Sequence, residues 1–490
     1  MTAPASILIL HCHDLGRFLG SYGVATVSTP ALDALAGEAV VFEQAFATSP
    51  HCSPARASLF TGTYPQRNGV LGLTHEPFAW DLADPSSHLA SRLGRAGYRT
   101  ELVGVQHESR VLPDPEVAER LGFDRVRTGG DRDLVVERAV EALDAAAADA
   151  RPFYLQVGFT EPHRVPSERD RPGVMGFLGS AVEADDSRGV TVPPFLVDDD
   201  GAREEMAELQ GAVAHMDEGV GRVLAHLDRL GLAERTIVLF TTDHGLALPR
   251  AKCTLYDAGL EVAMLLRAPG RSGWAGRRIT AQVSHVDVVP TLFELAGLEP
   301  PAGLAGASLV PLVEEGRPAR RHTFGQLTFH TYYDPKRSVR SPSHKLIANF
   351  SNAPRSMDPT QSWVHRSLPA DLAGPSVGTS PALELYDLVD DPEERRNLAG
   401  ADPEPAELPA LAATLLDWMR RNDDPLLAPE PGHRRHELAL AGLVDAAGRD
   451  TAGRDTAAAA ASPDPLPTRN PPQNPSATSP GGVERRNVRT

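Results

Sequence analysis

Two runs of consecutive apolar residues, each closed by paired histidine and aspartate, constrain this chain more than any other feature. Ile7-Leu8-Ile9-Leu10 leads into His11-Cys12-His13-Asp14, and Thr236-Ile237-Val238-Leu239-Phe240 leads into Thr241-Thr242-Asp243-His244-Gly245. A strand that is apolar on both faces has to be covered on both, as in parallel or mixed sheets sandwiched by helices. Phe153 to Phe159 reads as a third strand of this kind. The segment from about Arg203 to Leu230 supplies a covering helix. Its Met206, Leu209, Val213, Met216, Val220, Val223, Leu224 and Leu227 recur at steps of three and four, and Gly231 stops it. Thr29-Pro30 reads as an N-cap followed by proline in the first turn of another helix. The polar ends of the two strands fall where open α/β sheets bind their ligands, at the carboxyl edge.

The strand–helix alternation continues to about residue 318, which predicts one large catalytic α/β domain over 1–318. From 319 to 432 the texture changes to short strand-like pieces (Thr323 to Thr331, Ser338 to Phe350, Leu383 to Tyr386) and an amphipathic helix near Pro409 to Arg421. This predicts a smaller C-terminal α+β subdomain. Residues 433–490 are poor in large apolar side chains and repeat Ala-Gly-Arg-Asp-Thr around Ala447 and Ala452, and they are expected to be a disordered Ala/Pro/Arg-rich tail. Hydrophobic residues make up 41% of the 490, enough for an extensive core. A formal charge of −17 excludes a general nucleic-acid or anionic-membrane binder, while leaving room for a local basic pocket. No apolar run reaches the ~18 residues of a membrane span. Met1 to Ser6 enters the first strand without a basic segment or cleavage site, so no signal peptide is visible and a cytoplasmic location is expected. Three cysteines (Cys12, Cys52, Cys253) do not make a disulfide scaffold, and Cys12 and Cys253 are read as structural thiols.

His13 with Asp14 and Asp243 with His244 each offer one imidazole and one hard oxygen at a strand end. Meeting at one sheet edge, they would make a four-ligand site for a divalent cation. Taken singly, either pair could equally be a solvent-facing strand end. A third string is His51-Cys52-Ser53-Pro54-Ala55-Arg56-Ala57-Ser58-Leu59-Phe60-Thr61-Gly62. Ser53 can cap a helix, Pro54 suits its first turn and Gly62 can end it. Cys52 then lies at a helix N-terminus, where amides and dipole favour anions, and Arg56 one turn inside adds a fixed positive charge. His107 follows a strand-like segment and His163 follows the strand ending at Phe159; from the residues alone each could be a hydrogen-bonded structural histidine. His285 and Asp287 are read as helix caps, and Trp274, Trp363 and Trp418 as packing residues.

Cys52-Ser53-Pro54-Ala55-Arg56 resembles the Cys-X-Pro-X-Arg signature of the type I sulfatases, and Leu59-Phe60-Thr61-Gly62 continues it. Asp243-His244-Gly245 resembles the family's second metal motif. Leu383 to Leu388 followed by Asp391-Pro392-Glu393-Glu394 and Asn397-Leu398 looks like its carboxyl-terminal subdomain. Glu161-Pro162-His163-Arg164, Met216 to Gly221 and Leu255-Tyr256 resemble its heparan N-sulfatase branch. The resemblance implies an alkaline-phosphatase-like core with a large mixed sheet sandwiched by helices. It implies hydrolysis of a sulfate ester or sulfamate, with a sulfated small molecule or saccharide as substrate. It implies that a maturation enzyme converts Cys52 to formylglycine, the nucleophile and a metal ligand. Asp14, Asp243 and His244 would hold the metal, with His13 where the family usually has aspartate. Arg56 would steady the hydrated aldehyde, and His107 would help break down the sulfated intermediate. His163 would protonate the leaving group and, with Lys252 and Arg164, contact the substrate.

Two departures qualify these expectations. His13 softens the ligand set, so that Mn²⁺ or Zn²⁺ fits as well as the family's Ca²⁺. Val105 stands where the Gly-Lys-X-His motif carries lysine. The alternatives are a phosphodiester or phosphonate monoester hydrolase on the same scaffold, and a catalytically weak sugar-binding pseudoenzyme.

Overall fold

The first apolar run forms strand β1 (Ser6–Cys12), and its alternating side chains enter two different cores. Leu8, Leu10 and Cys12 join one apolar cluster and Ile7 and Ile9 the other, all essentially inaccessible. In the computed structural model, which describes residues 4–166, 175–177, 182–355, 357, 367–368, 378–403, 405–428 and 434–451, β1 is central in a mixed sheet. In chain order the further strands are β2 (Val40–Phe46), β3 (Arg99–Gly104), β4 (Arg125–Thr128), β5 (Phe153–Gly158), β6 (Val165–Pro166), β7 (Met175–Gly176), β8 (Thr236–Thr242), β9 (Glu261–Val262), β10 (Met264–Arg267) and β11 (Arg278–Ser284). The sheet runs β11-β2-β10-β8-β1-β5-β3-β4, with β9 on β2 and with β6 and β7 pairing separately. Strands β8, β1, β5, β3 and β4 are parallel, whereas β10 is antiparallel to both its neighbours.

Helices cover both faces. One face takes Pro30–Glu38, Arg132–Ala147 and the long Asp200–Arg229, which buries Met206, Leu209, Val213, Met216, Val220, Val223 and Leu227 as the period predicts. The other takes Cys52–Thr61, Leu89–Arg95, Asp114–Leu121 and Val288–Leu295. The alkaline-phosphatase-like α/β class expected from the sequence is the observed one. The cap at Thr29 differs from expectation. Its hydroxyl binds Gly20 and Asp33, and the free amides of Ala31 and Leu32 are taken by the Asp217 carboxylate of the long helix at 2.9 and 2.8 Å. Asp287 acts in a capping box with Ser284, as the acidic arm.

Beyond the main sheet, β12 (Thr323–Phe329), β13 (Tyr333–Arg340), β14 (His344–Asn349) and β15 (Leu383–Asp387) form an antiparallel sheet. Helix Glu407–Arg421 packs on it through Leu411, Leu415, Leu416 and Met419. Trp274 and Trp418 are buried as expected, and Trp363 lies outside the described residues. This unit is tied to the catalytic one by Gln326, whose amide donates to Thr48 and whose carbonyl accepts from Ser49. No described helix is long and apolar enough to cross a membrane.

The expectation of a disordered tail from 433 is corrected over Arg434–Thr451, which form a helix. Its Ala439, Leu443 and Ala446, at steps of four and three, are fully buried with the Glu407–Arg421 helix. The stripe is narrow and mostly alanine, so it carries little hydrophobic signal. The remainder of the tail, 452–490, lies outside the described residues. A chain ended before Arg434 is expected to be less stable than one ended after Thr451 by about 2–3 kcal/mol, chiefly from the re-exposed Leu443 and the surface it covers. Urea denaturation of the two truncations checks this, and equal midpoints would count against it.

Candidate active site

The sheet register assembles the site. His11 and Cys12 of β1 pair with Thr241 and Thr242 of β8, so the two pairs that follow, His13-Asp14 and Asp243-His244, come side by side. The Asp14 amide donates to Asp243 Oδ1 at 2.9 Å. Asp14 turns the chain with φ of +53°, a conformation that aspartate tolerates better than most residues. Gly245 is needed on the other strand: a Cβ there would lie 1.9 Å from the Ala258 carbonyl oxygen. The third segment is the helix Cys52–Thr61, buried along its whole length and ended by Gly62 at φ +69°. Its N-cap is His51 rather than Ser53, whose hydroxyl instead meets Thr74.

One ligand atom from each of Asp14, Cys52, Asp243 and His244 lies within 4.8 Å of the others, and the same holds for His13, Asp14, Cys52 and His163. All but His163 are buried. Cys52 Sγ is 3.5 Å from His244 Nε2. Arg56, fully buried, donates to Asp243 Oδ2 from Nε at 3.2 Å and to the Cys12 carbonyl at 3.1 Å. Lys252 Nζ donates to both Asp14 oxygens, at 2.9 and 2.8 Å. Its loop is held in an uncommon shape, with Arg250 and Cys253 both at positive φ and the Cys253 amide donating to the Pro50 carbonyl.

The electrostatics favour anions at the centre. Burial opposes ionisation of Cys52, but Lys252 and hydrogen bonds from His107, His13 and His163 outweigh it and hold the thiol well below its usual range. Burial likewise opposes the Asp14 carboxylate, and Lys252, His163 and His244 keep it ionised. His244 donates from Nδ1 to the Gly245 carbonyl at 2.9 Å, which leaves Nε2 facing Asp14 Oδ1 at 2.9 Å. Two lone pairs at that distance require a positive charge between them. Without a metal a proton provides it: against the cost of burial, Asp243 and Asp14 push His244 up to about 10. Two carboxylates, a thiol and an imidazole with its Nδ1 already committed are a donor set that fits a divalent cation.

Each predicted site residue has a defined place. His13, Asp14, Cys52, Asp243, His244, His163 and Lys252 converge, with Arg56 behind Asp243. His13 Nδ1 sits 3.2 Å from Asp243 Oδ2, and its ring meets those of His107 and His163 edge-on. His107 is fixed through its backbone, whose amide donates to Glu108 Oε2 at 2.8 Å. Buried Glu108 also accepts from Gln156 and faces His88; despite burial, these partners hold it at about 2. Arg164 is placed otherwise than expected for a substrate contact. Its guanidinium is buried on Glu205 and the Ala247 carbonyl, against the Phe177 ring, because the chain turns inward after His163. Sequence reasoning missed three neighbours. His75 stacks on His107, and His51 meets His330 edge-on at 5.4 Å, bringing the hairpin between β12 and β13 to the site. Burial first, then Lys252, presses His330 down to about 3.

The fold is of the alkaline-phosphatase-like class, with a buried cluster of potential metal ligands where β1 and β8 end. The family model Sulfatase matches residues 13–298, and the model N-sulphoglucosamine sulphohydrolase, C-terminal, matches 247–355. Human N-sulphoglucosamine sulphohydrolase is 30% identical over 89% of this chain and 94% of its own. A solved structure of an enzyme bound to its substrate D-glucosamine-2-N,6-O-disulfate superposes with a TM-score of 0.62 at 17% identity, covering 86% of this chain and 99% of that one. A phosphonate monoester hydrolase from Silicibacter pomeroyi superposes at 0.61 with 20% identity, covering 86% and 97%. The chain belongs to the sulfatase family and is a sulfuric ester hydrolase.

Proposed function

We propose that the protein hydrolyses a sulfate ester or sulfamate on a sugar, using formylglycine made from Cys52 and a divalent cation. The observation that carries this reading is the convergence of Asp14, Cys52, Asp243 and His244 within 4.8 Å around a thiol at a helix N-terminus. Asp14, Asp243 and His244 would hold the cation together with the side chain at 52, with His13 beside them. When bound, the cation supplies Lewis-acid charge to the sulfuryl oxygens. The hydrated aldehyde supplies one hydroxyl to attack sulfur and a second whose deprotonation releases sulfate. Ca²⁺ is the favoured metal, with Mn²⁺ or Zn²⁺ admitted by the imidazoles of His13 and His244.

The chain's own groups do the rest. Lys252 carries a buried positive charge beside Asp14, where it can meet a sulfate oxygen. Arg56 holds Asp243 in place, so the guanidinium orients the ligand set and offsets its charge. His163 donates from Nδ1 to the Arg164 carbonyl at 2.6 Å. Burial disfavours its cation, but the Asp14 carboxylate, 3.7 Å from Nε2, raises its pKa, so Nε2 can carry a proton toward the departing oxygen or nitrogen. Such general acid catalysis contributes ~10²–10⁴-fold. His107, whose backbone amide is held by Glu108 and whose ring meets that of His13 edge-on, would help break down the sulfated form of residue 52.

Mass spectrometry of the Cys52 peptide, after expression with the maturation enzyme, is expected to find an aldehyde in place of the thiol. Only thiol, in protein that still hydrolyses aryl sulfate, would overturn the formylglycine assignment. Phosphodiester or phosphonate hydrolysis remains the second reading, favoured by the histidine-rich donor set. Rates on aryl sulfate and aryl phosphodiester with Ca²⁺ and with Mn²⁺ separate the two, and sulfate ester is expected to be preferred.

A further inference from the structure

The helix that begins at Cys52 ends at Thr61, about 15 Å away at 1.5 Å per residue. Just past its far end, against the start of β12 and the helix Glu407–Arg421, lies a cavity of about 480 Å³. Its lining includes Arg67, Arg320, Arg321 and Arg421 and contains no carboxylate, in a chain whose formal charge is −17. Arg320 is bound to Asp287 and Arg421 to Asp417. Arg67 and Arg321 are exposed, and among the described residues neither has a carboxylate partner. Beside the arginines stand Phe324 and Trp418, stacked with ring centroids 5.0 Å apart and planes 2° from parallel. Phe324 is half-buried and Trp418 buried, so the stack is a firm wall with one accessible face.

Guanidinium forks match tetrahedral oxyanions, and aromatic faces accept the apolar face of a pyranose ring. We propose that this cavity is a second, non-catalytic binding site for a sulfated saccharide, with Arg67 and Arg321 taking sulfate groups and Phe324 backing the sugar ring. The site rests on the functional reading above only for the choice of ligand. Its consequence is avidity: a polysulfated chain held there raises the local concentration of sulfated termini around the enzyme.

The test compares the full-length protein with the double variant Arg67→Ser/Arg321→Ser. Both arginines are exposed, so the fold is expected to persist, and circular dichroism checks this. Calorimetric titration with a heparin oligosaccharide is expected to show binding at least ~10-fold weaker in the variant, while kcat/KM for a small aryl sulfate stays unchanged. Unchanged heparin affinity would overturn the proposal. So would complete displacement of heparin by equimolar inorganic sulfate, which would mean that the cavity reads a lone oxyanion. Weakened binding in protein that hydrolyses no sulfate ester would sustain the site while overturning the catalytic reading.

Discussion

Cys52→Ala is expected to lower sulfate-ester turnover by at least ~10³-fold while the protein still folds, because the change removes the nucleophile and little else. The side chain is buried at the first position of a helix whose remaining residues pack without it, so the stability cost is that of one small buried group, about 1 kcal/mol. Initial rates on an aryl sulfate, with a thermal melt of the same preparation, measure both quantities. Near-parental turnover would eliminate any nucleophile at this position. Residual binding of a sulfated sugar by the inactive variant is expected, since Lys252 and His163 are untouched.

Arg56→Ala should damage both fold and activity. The guanidinium is fully enclosed and bridges Asp243, the Cys12 carbonyl and His11. Removing it leaves a buried carboxylate short of the one permanent cation among the described residues that contacts it, beside His244 and His13, a change that costs about 3–5 kcal/mol. Arg56→Lys restores charge without the fork that reaches three partners, so it is expected to recover only part of the stability. A urea midpoint for Arg56→Ala equal to the parent's would show that Asp243 does not depend on this contact.

Much of the site could be read from the sequence because its parts are local. A strand too apolar to leave either face in water must be central, and whatever follows it must emerge at the sheet edge; this located Asp14 and Asp243. The Cys52 string carried its own helix start and stop. Contacts made only in three dimensions left no such trace. His51 and His330 meet across a hairpin from the second sheet, and nothing periodic marks either. Arg164 follows His163 in the chain yet turns to Glu205 on the long helix, a partner 41 residues away that no local pattern announces. The cap on the Pro30–Glu38 helix comes from Asp217, far along the chain, where no local pattern can reveal it. The helix Arg434–Thr451 was hidden by composition: alanine packs closely while adding little to an apolar count.

Strands β1 and β8 are bound by seven consecutive residue pairs, and the metal-ligand candidates follow at once: His13 and Asp243 are the next residues, Asp14 and His244 the ones after. Catalytic spacing and sheet alignment are therefore set by the same ruler. Adding or deleting one residue within either strand would reverse which core each side chain enters, and in the same stroke carry Asp14 or Asp243 out of reach of its partner. Changes of length can be absorbed in the surface loops, but these two strands have none to spare.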